Sequence, residues 1–95
     1  MASVRIAVYT LPRSAARLTC QGIAAELLPV HHGQPGFLDH EVLTNADEVI
    51  SISRWHSREH ATEGAVQIAA WVGSHLEGQL TLEQQYIAET VEPRR

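Results

Sequence analysis

The sequence predicts a single α+β domain in which two β-α-β units share one antiparallel sheet. Three observations carry that prediction. Four stretches are rich in β-branched residues or alternate in polarity, and two others repeat apolar residues at helical spacing. Their order along the chain is β-α-β-β-α-β. Between the two halves, Pro35 to Ser57 reads as turn, strand, reversal, strand and helix cap in unbroken succession.

The first strand is Val4 to Tyr9, with Val4, Ile6 and Val8 on one face. Thr10-Leu11-Pro12 ends it, and Pro12 suits the first turn of a helix, where a missing N–H costs nothing. The first helix is Ser14 to Leu28, its stripe built from Ala16, Cys20, Ile23, Ala24, Leu27 and Leu28. It is expected to end near Leu28, because the residue before Pro29 is pushed out of the α region. His31 and His32 then fall in a looser turn or loop running to Gly33, exposed to solvent.

Gln34-Pro35-Gly36-Phe37 places Pro and Gly where a type II turn wants them. The second strand is Phe37 to Thr44, with His40 on the face of Leu38 and Val42. Thr44 to Asp47 is the reversal. The third strand, Glu48 to Trp55, turns Ile50 and Ile52 one way and Val49, Ser51, Ser53 and Trp55 the other. Ser57 caps the second helix, with Glu59 in its first turn. Ala61, Ala65, Ile68, Ala69 and Val72 form that helix's stripe; Gly64 is expected to divide it and Gly78 to stop it. The last strand is Leu80 to Val91, with Leu82, Tyr86 and Ala88 sharing a face. A polar tail, 92–95, follows, leaving a core of about residues 3–91 in one domain spanning 1–95.

Two right-handed crossovers in this order give the ferredoxin-like plait: a four-stranded antiparallel sheet with both helices on one face. The other face has no cover within the chain, so a second copy is expected to pack there.

Composition narrows the function. The net charge of −4 disfavours a nucleic-acid partner, and the sheet lacks the paired aromatics of an RNA-binding plait. No run approaches the roughly 20 apolar residues of a membrane helix. Nothing at the start resembles a signal peptide, so the expected location is cytoplasmic. Cys20 is the only cysteine, expected as a small buried apolar side chain. His56 and His60 lie four apart, but two ligands with no clustered third donor do not make a metal site.

Pro35-Gly36-Phe37-Leu38, a hairpin, and then Arg54-Trp55-His56-Ser57 opening a helix resemble the antibiotic biosynthesis monooxygenase domain. That family carries a Gly-Phe at the start of its second strand and a Trp-x-Ser before its second helix. The resemblance covers about residues 3–91. It implies a dimeric α+β barrel, a homodimer joined through the sheet faces, with a pocket between each sheet and its own helices. Some members oxidise aromatic polyketides with O2 and no metal or flavin. Others degrade haem, isomerise small metabolites, or have no known substrate.

What the resemblance implies here is a small monooxygenase, without bound cofactor, acting on a hydrophobic or aromatic small molecule. Deprotonating a phenol calls for a base that titrates near neutrality, hence histidine. His40 is the candidate base, Trp55 the pocket wall on which a flat substrate stacks, and Ser51 and His60 candidates for orienting it. Oxygenase members pair the Trp with an Asn four residues earlier and a Tyr six later; those positions here are Ser51 and Ala61. The haem-degrading branch needs an Asn on the first strand, and a Trp and a His about ten residues apart on the second helix. The first strand has no Asn, and Trp71 and His75 are four apart. The alternative from another class is a non-enzymatic dimeric module that binds a ligand or serves in stress.

Overall fold

The computed structural model describes residues 2–11, 17–45, 47–76 and 80–91, without the side chains of 17–21, 23, 24 and 45. The expected helix start at Pro12 to Ala16, the apolar stripe at Ala16, Cys20, Ile23 and Ala24, the stop at Gly78 and the tail 92–95 lie outside what is described.

The elements are β1 (Ser3–Thr10), α1 (Arg17–His32), β2 (Phe37–Asn45), β3 (Glu48–Trp55), α2 (Arg58–His75) and β4 (Thr81–Glu89). The strands form one sheet in the order β2-β3-β1-β4, each antiparallel to its neighbours. Both helices cover one face: Leu27 of α1 and Ala61, Ile68 and Val72 of α2 pack on Ala7, Tyr9, Val49 and Trp55. This is the ferredoxin-like α+β plait that the order of elements predicts.

Polarity across the sheet is inverted relative to an ordinary half-buried sheet. The β-branched stripe Val4, Ile6 and Val8, with Ile50 and Ile52, lies on the face without helices and is half-buried. Leu43 and Tyr86 share that face and are exposed. Beneath the helices, β1 instead buries Ser3, Arg5, Ala7 and Tyr9, and β3 buries Val49, Ser51, Ser53 and Trp55.

The Pro35–Gly36 turn forms as expected. Gly36 has φ +79°, open to glycine but strained for other residues, and the Phe37 N–H reaches the Gln34 carbonyl at 3.4 Å. The Gly36 carbonyl then accepts from the His56 N–H at 2.8 Å, tying the turn to the start of α2. Ser57 caps α2, its hydroxyl accepting the His60 N–H at 3.2 Å.

Five local expectations are corrected. α1 does not end near Leu28 but continues through Pro29 to His32. The lost amide bond and the pre-proline restriction are outweighed by Leu27 and His31, which bury the same helix face, and by the Gly33 N–H to Pro29 carbonyl bond of 3.1 Å. His31 is therefore helical and buried rather than a solvated loop residue, while His32 is exposed. Gly64 does not divide α2; it is buried in an unbroken helix where a Cβ would run into the Trp55 ring. A bulge between Phe37 and Asp39 gives Phe37, not Leu38, the interior place beside Trp55. A second irregularity, opposite Val8 and Tyr9, pairs Leu82 with Tyr9 but Tyr86 with Ile6, so these two β4 residues fall on opposite faces.

Candidate active site

Cross-strand pairing sets out the helix-covered face of the sheet in rows. One row runs His40, Ser53, Arg5, Ile87 across β2, β3, β1 and β4; the next runs Val42, Ser51, Ala7, Gln85. Strands about 4.8 Å apart put the His40 and Arg5 backbones roughly 10 Å from one another, with only the small Ser53 between. Ser53, Ser51 and Ala7 on the two central strands leave this floor low around the Arg5 side chain. α1 closes over it with His31.

His31 is fully buried and its Nδ1 lies 2.8 Å from the Leu27 carbonyl. A carbonyl only accepts, so Nδ1 carries the proton and Nε2 is a bare lone pair. That Nε2 is buried without a partner. The ring stacks on His40 at 3.9 Å between centroids, and His40 Nε2 meets the Ser51 hydroxyl at 2.8 Å. Burial pushes His31 down to about 4; the Leu27 bond opposes this, and the charges of His40, Arg5 and His32 add to it. His40 is also lowered, by burial first and then by Arg5, with Asp39 opposing. Both rings are neutral at neutral pH, which allows them to stack.

Arg5 is fully buried under the helices. Its Nε donates to Gln85 Oε1 at 2.8 Å and its Nη2 to the Tyr9 hydroxyl at 3.3 Å. Its Nη1 is buried without a partner, as is Ser3 Oγ. Trp55 is fully buried at the neighbouring row; its indole N–H donates to Ser53 at 2.9 Å, and Phe37 meets its ring edge-on at 5.7 Å.

Of the residues singled out in the sequence, His40 and Ser51 are thus in direct contact, and Trp55 lies in the same interior. His60 is on the other side of Gly64, lining a cleft of about 440 Å³ with Gln34, Pro35, Glu63 and Gln67. Its Nδ1 is 2.9 Å from the Ser57 hydroxyl, and its ring centroid is 6.3 Å from that of His56. Among the described residues no group of three or more His, Cys, Asp or Glu is arranged to hold a metal ion. Trp71 and His75 stack at 4.7 Å near the end of α2, where His75 is exposed.

Arg5, His31 and Gln85 were not singled out in the sequence. The signal for Arg5 was its place in the alternation: it sits opposite the Val4, Ile6, Val8 stripe, in line with Ala7 and Tyr9. His31 carried no such signal, because its burial depends on the helix passing through Pro29.

No family model matches the sequence, and no curated protein does either. Solved structures do match in three dimensions. SnoaB from Streptomyces nogalater, a cofactor-independent oxygenase, superposes with a TM-score of 0.75 at 16% identity, covering 97% of this chain and 95% of that one. A candidate antibiotic biosynthesis monooxygenase from Chloroflexus aurantiacus gives 0.68 at 14%, over 100% and 98%. The fold is that of the antibiotic biosynthesis monooxygenase proteins. A point mutant of MhuD, solved with two manganese protoporphyrin IX molecules per active site, shares it too, at 0.70 and 16% over 98% of both chains. At identities this low the likeness is one of fold, and the interior side chains are this chain's own.

Proposed function

We propose that this protein is a small monooxygenase that oxidises a hydrophobic, aromatic small molecule with O2 and without a bound cofactor. The observation that carries the reading is the pair of stacked, neutral histidines held against Ser51 inside the sheet–helix interior. A neutral imidazole accepts a proton; His40 is the base in this reading, with His31 Nε2 as a second acceptor beside it. Ser51 fixes the His40 ring. Trp55 offers the flat wall on which the substrate stacks; His60 lines a separate cleft and has no part in this reading.

The chemistry balances without a cofactor. A phenol gives its O–H proton to histidine and the resulting carbanion gives electrons to O2. A peroxide forms at carbon, and loss of water leaves a quinone, so one O2 is consumed and one water released per phenol.

The same reading makes the protein a homodimer joined through its sheets. Its support is the row of Val4, Ile6, Val8, Ile50, Ile52 and Tyr86, which neither α1 nor α2 covers.

The deciding experiment is oxygen uptake with 1-naphthol and 1,5-dihydroxynaphthalene, in buffer treated with chelator. Uptake that survives chelation and falls at least a hundredfold in His40→Ala supports the reading. No uptake above the protein-free rate with either compound sinks it, and leaves the ligand-binding module as the function.

A further inference from the structure

We propose that the interior binds a small organic carboxylate, with its charge against Arg5 Nη1. The inference rests on the reading that this interior is the substrate site, and it names the class of substrate.

Arg5 is fully buried, and arginine keeps its proton at any pH at which the protein is folded. Its two hydrogen-bonding partners, Gln85 and Tyr9, are neutral. Among the described residues the one salt bridge is Arg54 with Asp39 at 3.0 Å, on exposed side chains. The two histidines nearest this charge are neutral rings and supply no anion. An unpaired buried charge is among the most costly features a fold can carry, and proteins relieve it by pairing.

Geometry gives the direction. The guanidinium is planar, and Nε and Nη2 share one edge. That edge is occupied by Gln85 on β4 and by Tyr9. The free Nη1 is therefore on the edge turned away from Gln85, the side on which β3 and β2 lie. Ser53 and His40 occupy the same row on that side. Among the described residues the buried side-chain atoms without partners are Arg5 Nη1, a cationic donor, His31 Nε2, an acceptor, and Ser3 Oγ. A carboxylate takes the Arg5 donor; a hydroxyl on the same molecule satisfies the His31 acceptor.

The probes are 2-naphthoate and 2-naphthamide, nearly identical in shape and different in charge. Binding is measured by isothermal titration and by the shift in Tm, for the wild type and for Arg5→Met. The expected result is at least tenfold tighter binding of the acid by the wild type. In Arg5→Met that preference shrinks to within threefold. Arg5→Met also melts higher than the wild type without ligand, since it removes an uncompensated buried charge, and 2-naphthoate raises the Tm of the wild type alone. A purely structural arginine gives the reverse: a lower Tm in Arg5→Met and no preference to lose.

The proposal is overturned if the wild type binds the amide as tightly as the acid, if 2-naphthoate does not bind at millimolar concentration, or if Arg5→Met keeps the preference. Should Arg5→Met fail to fold, the wild-type acid-to-amide ratio and its reduction in Arg5→Gln decide the matter. Oxygen uptake is a separate readout. A tenfold preference without uptake keeps the carboxylate site and removes the oxygenase; uptake without a preference does the opposite.

Discussion

The rings of His31 and His40 stack with centroids 3.9 Å apart and planes 14° from parallel. They come from the last turn of α1 and the middle of β2, so the contact joins the helix layer to the sheet. Two imidazolium rings would not share this position, and the stack ties stability to pH. The folded-state value of His31, about 4, is below the ordinary 6.5. Above pH 6.5 the ring is neutral whether folded or unfolded, and nothing is lost. Below it the unfolded chain takes up a proton that the folded chain refuses, so stability falls from pH 6.5 down to about 4. The loss reaches about 3 kcal/mol from this group, and His40 adds in the same direction. Urea unfolding between pH 7.5 and 4.5 measures it, and His31→Asn is expected to flatten the dependence. A profile equally steep in the variant would place the effect elsewhere.

Gly64 and Gly73, both in α2, make a matched pair. A Cβ on Gly64 would collide with the buried Trp55 ring, whereas nothing is within 4 Å of one on Gly73. Gly64→Ala gains about 1 kcal/mol of helix propensity but overpacks the core, for a net loss of about 1–2 kcal/mol. Gly73→Ala keeps the propensity gain and raises stability by up to about 1 kcal/mol. Thermal melts of the two variants should move in opposite directions.

Ser51 holds His40 through one hydrogen bond in a buried setting. Ser51→Ala leaves the His40 Nε2 without this partner, at a cost of about 1–3 kcal/mol in chemical denaturation. Oxygen uptake should fall less than in His40→Ala, because the ring is loosened rather than removed. A Ser51→Ala variant as inactive as His40→Ala would give Ser51 a more direct role.

The helix-free face of the sheet offers a test of assembly. Ile52 lies there between Ile6 and Glu41. Light scattering should give the wild type twice the chain's 10.5 kDa, and Ile52→Lys a mass near one copy. A wild-type monomer would contradict the sheet-to-sheet homodimer.

Ser57 caps α2 through the His60 N–H. Ser57→Ala is expected to lower stability by about 1 kcal/mol, visible as a lower urea midpoint with an unchanged slope.

Much of the fold was legible in the residues because its determinants are local. Alternation in Val4 to Tyr9 and Glu48 to Trp55, Gly at the left-handed position of the Pro35 turn, and Ser57 before a helical stripe each act within a few residues. Together they determined the β-α-β-β-α-β order and therefore the plait. The shared placement of the candidate residues was legible too: His40, Ser51 and Trp55 alternate onto one face of adjacent strands. What only the tertiary structure decided depends on contacts between distant segments. Packing of Leu27 and His31 carries α1 past Pro29, against the local preference of the backbone, and brings His31 onto His40. Two register irregularities decide which of Phe37 and Leu38 turns inward, and separate Leu82 from Tyr86. Burial of Arg5 follows from which face of the sheet the helices cover. Alternation alone says that Arg5 opposes Val4 and Ile6; the helices, by covering the small and polar face, make it a buried charge with an unused donor.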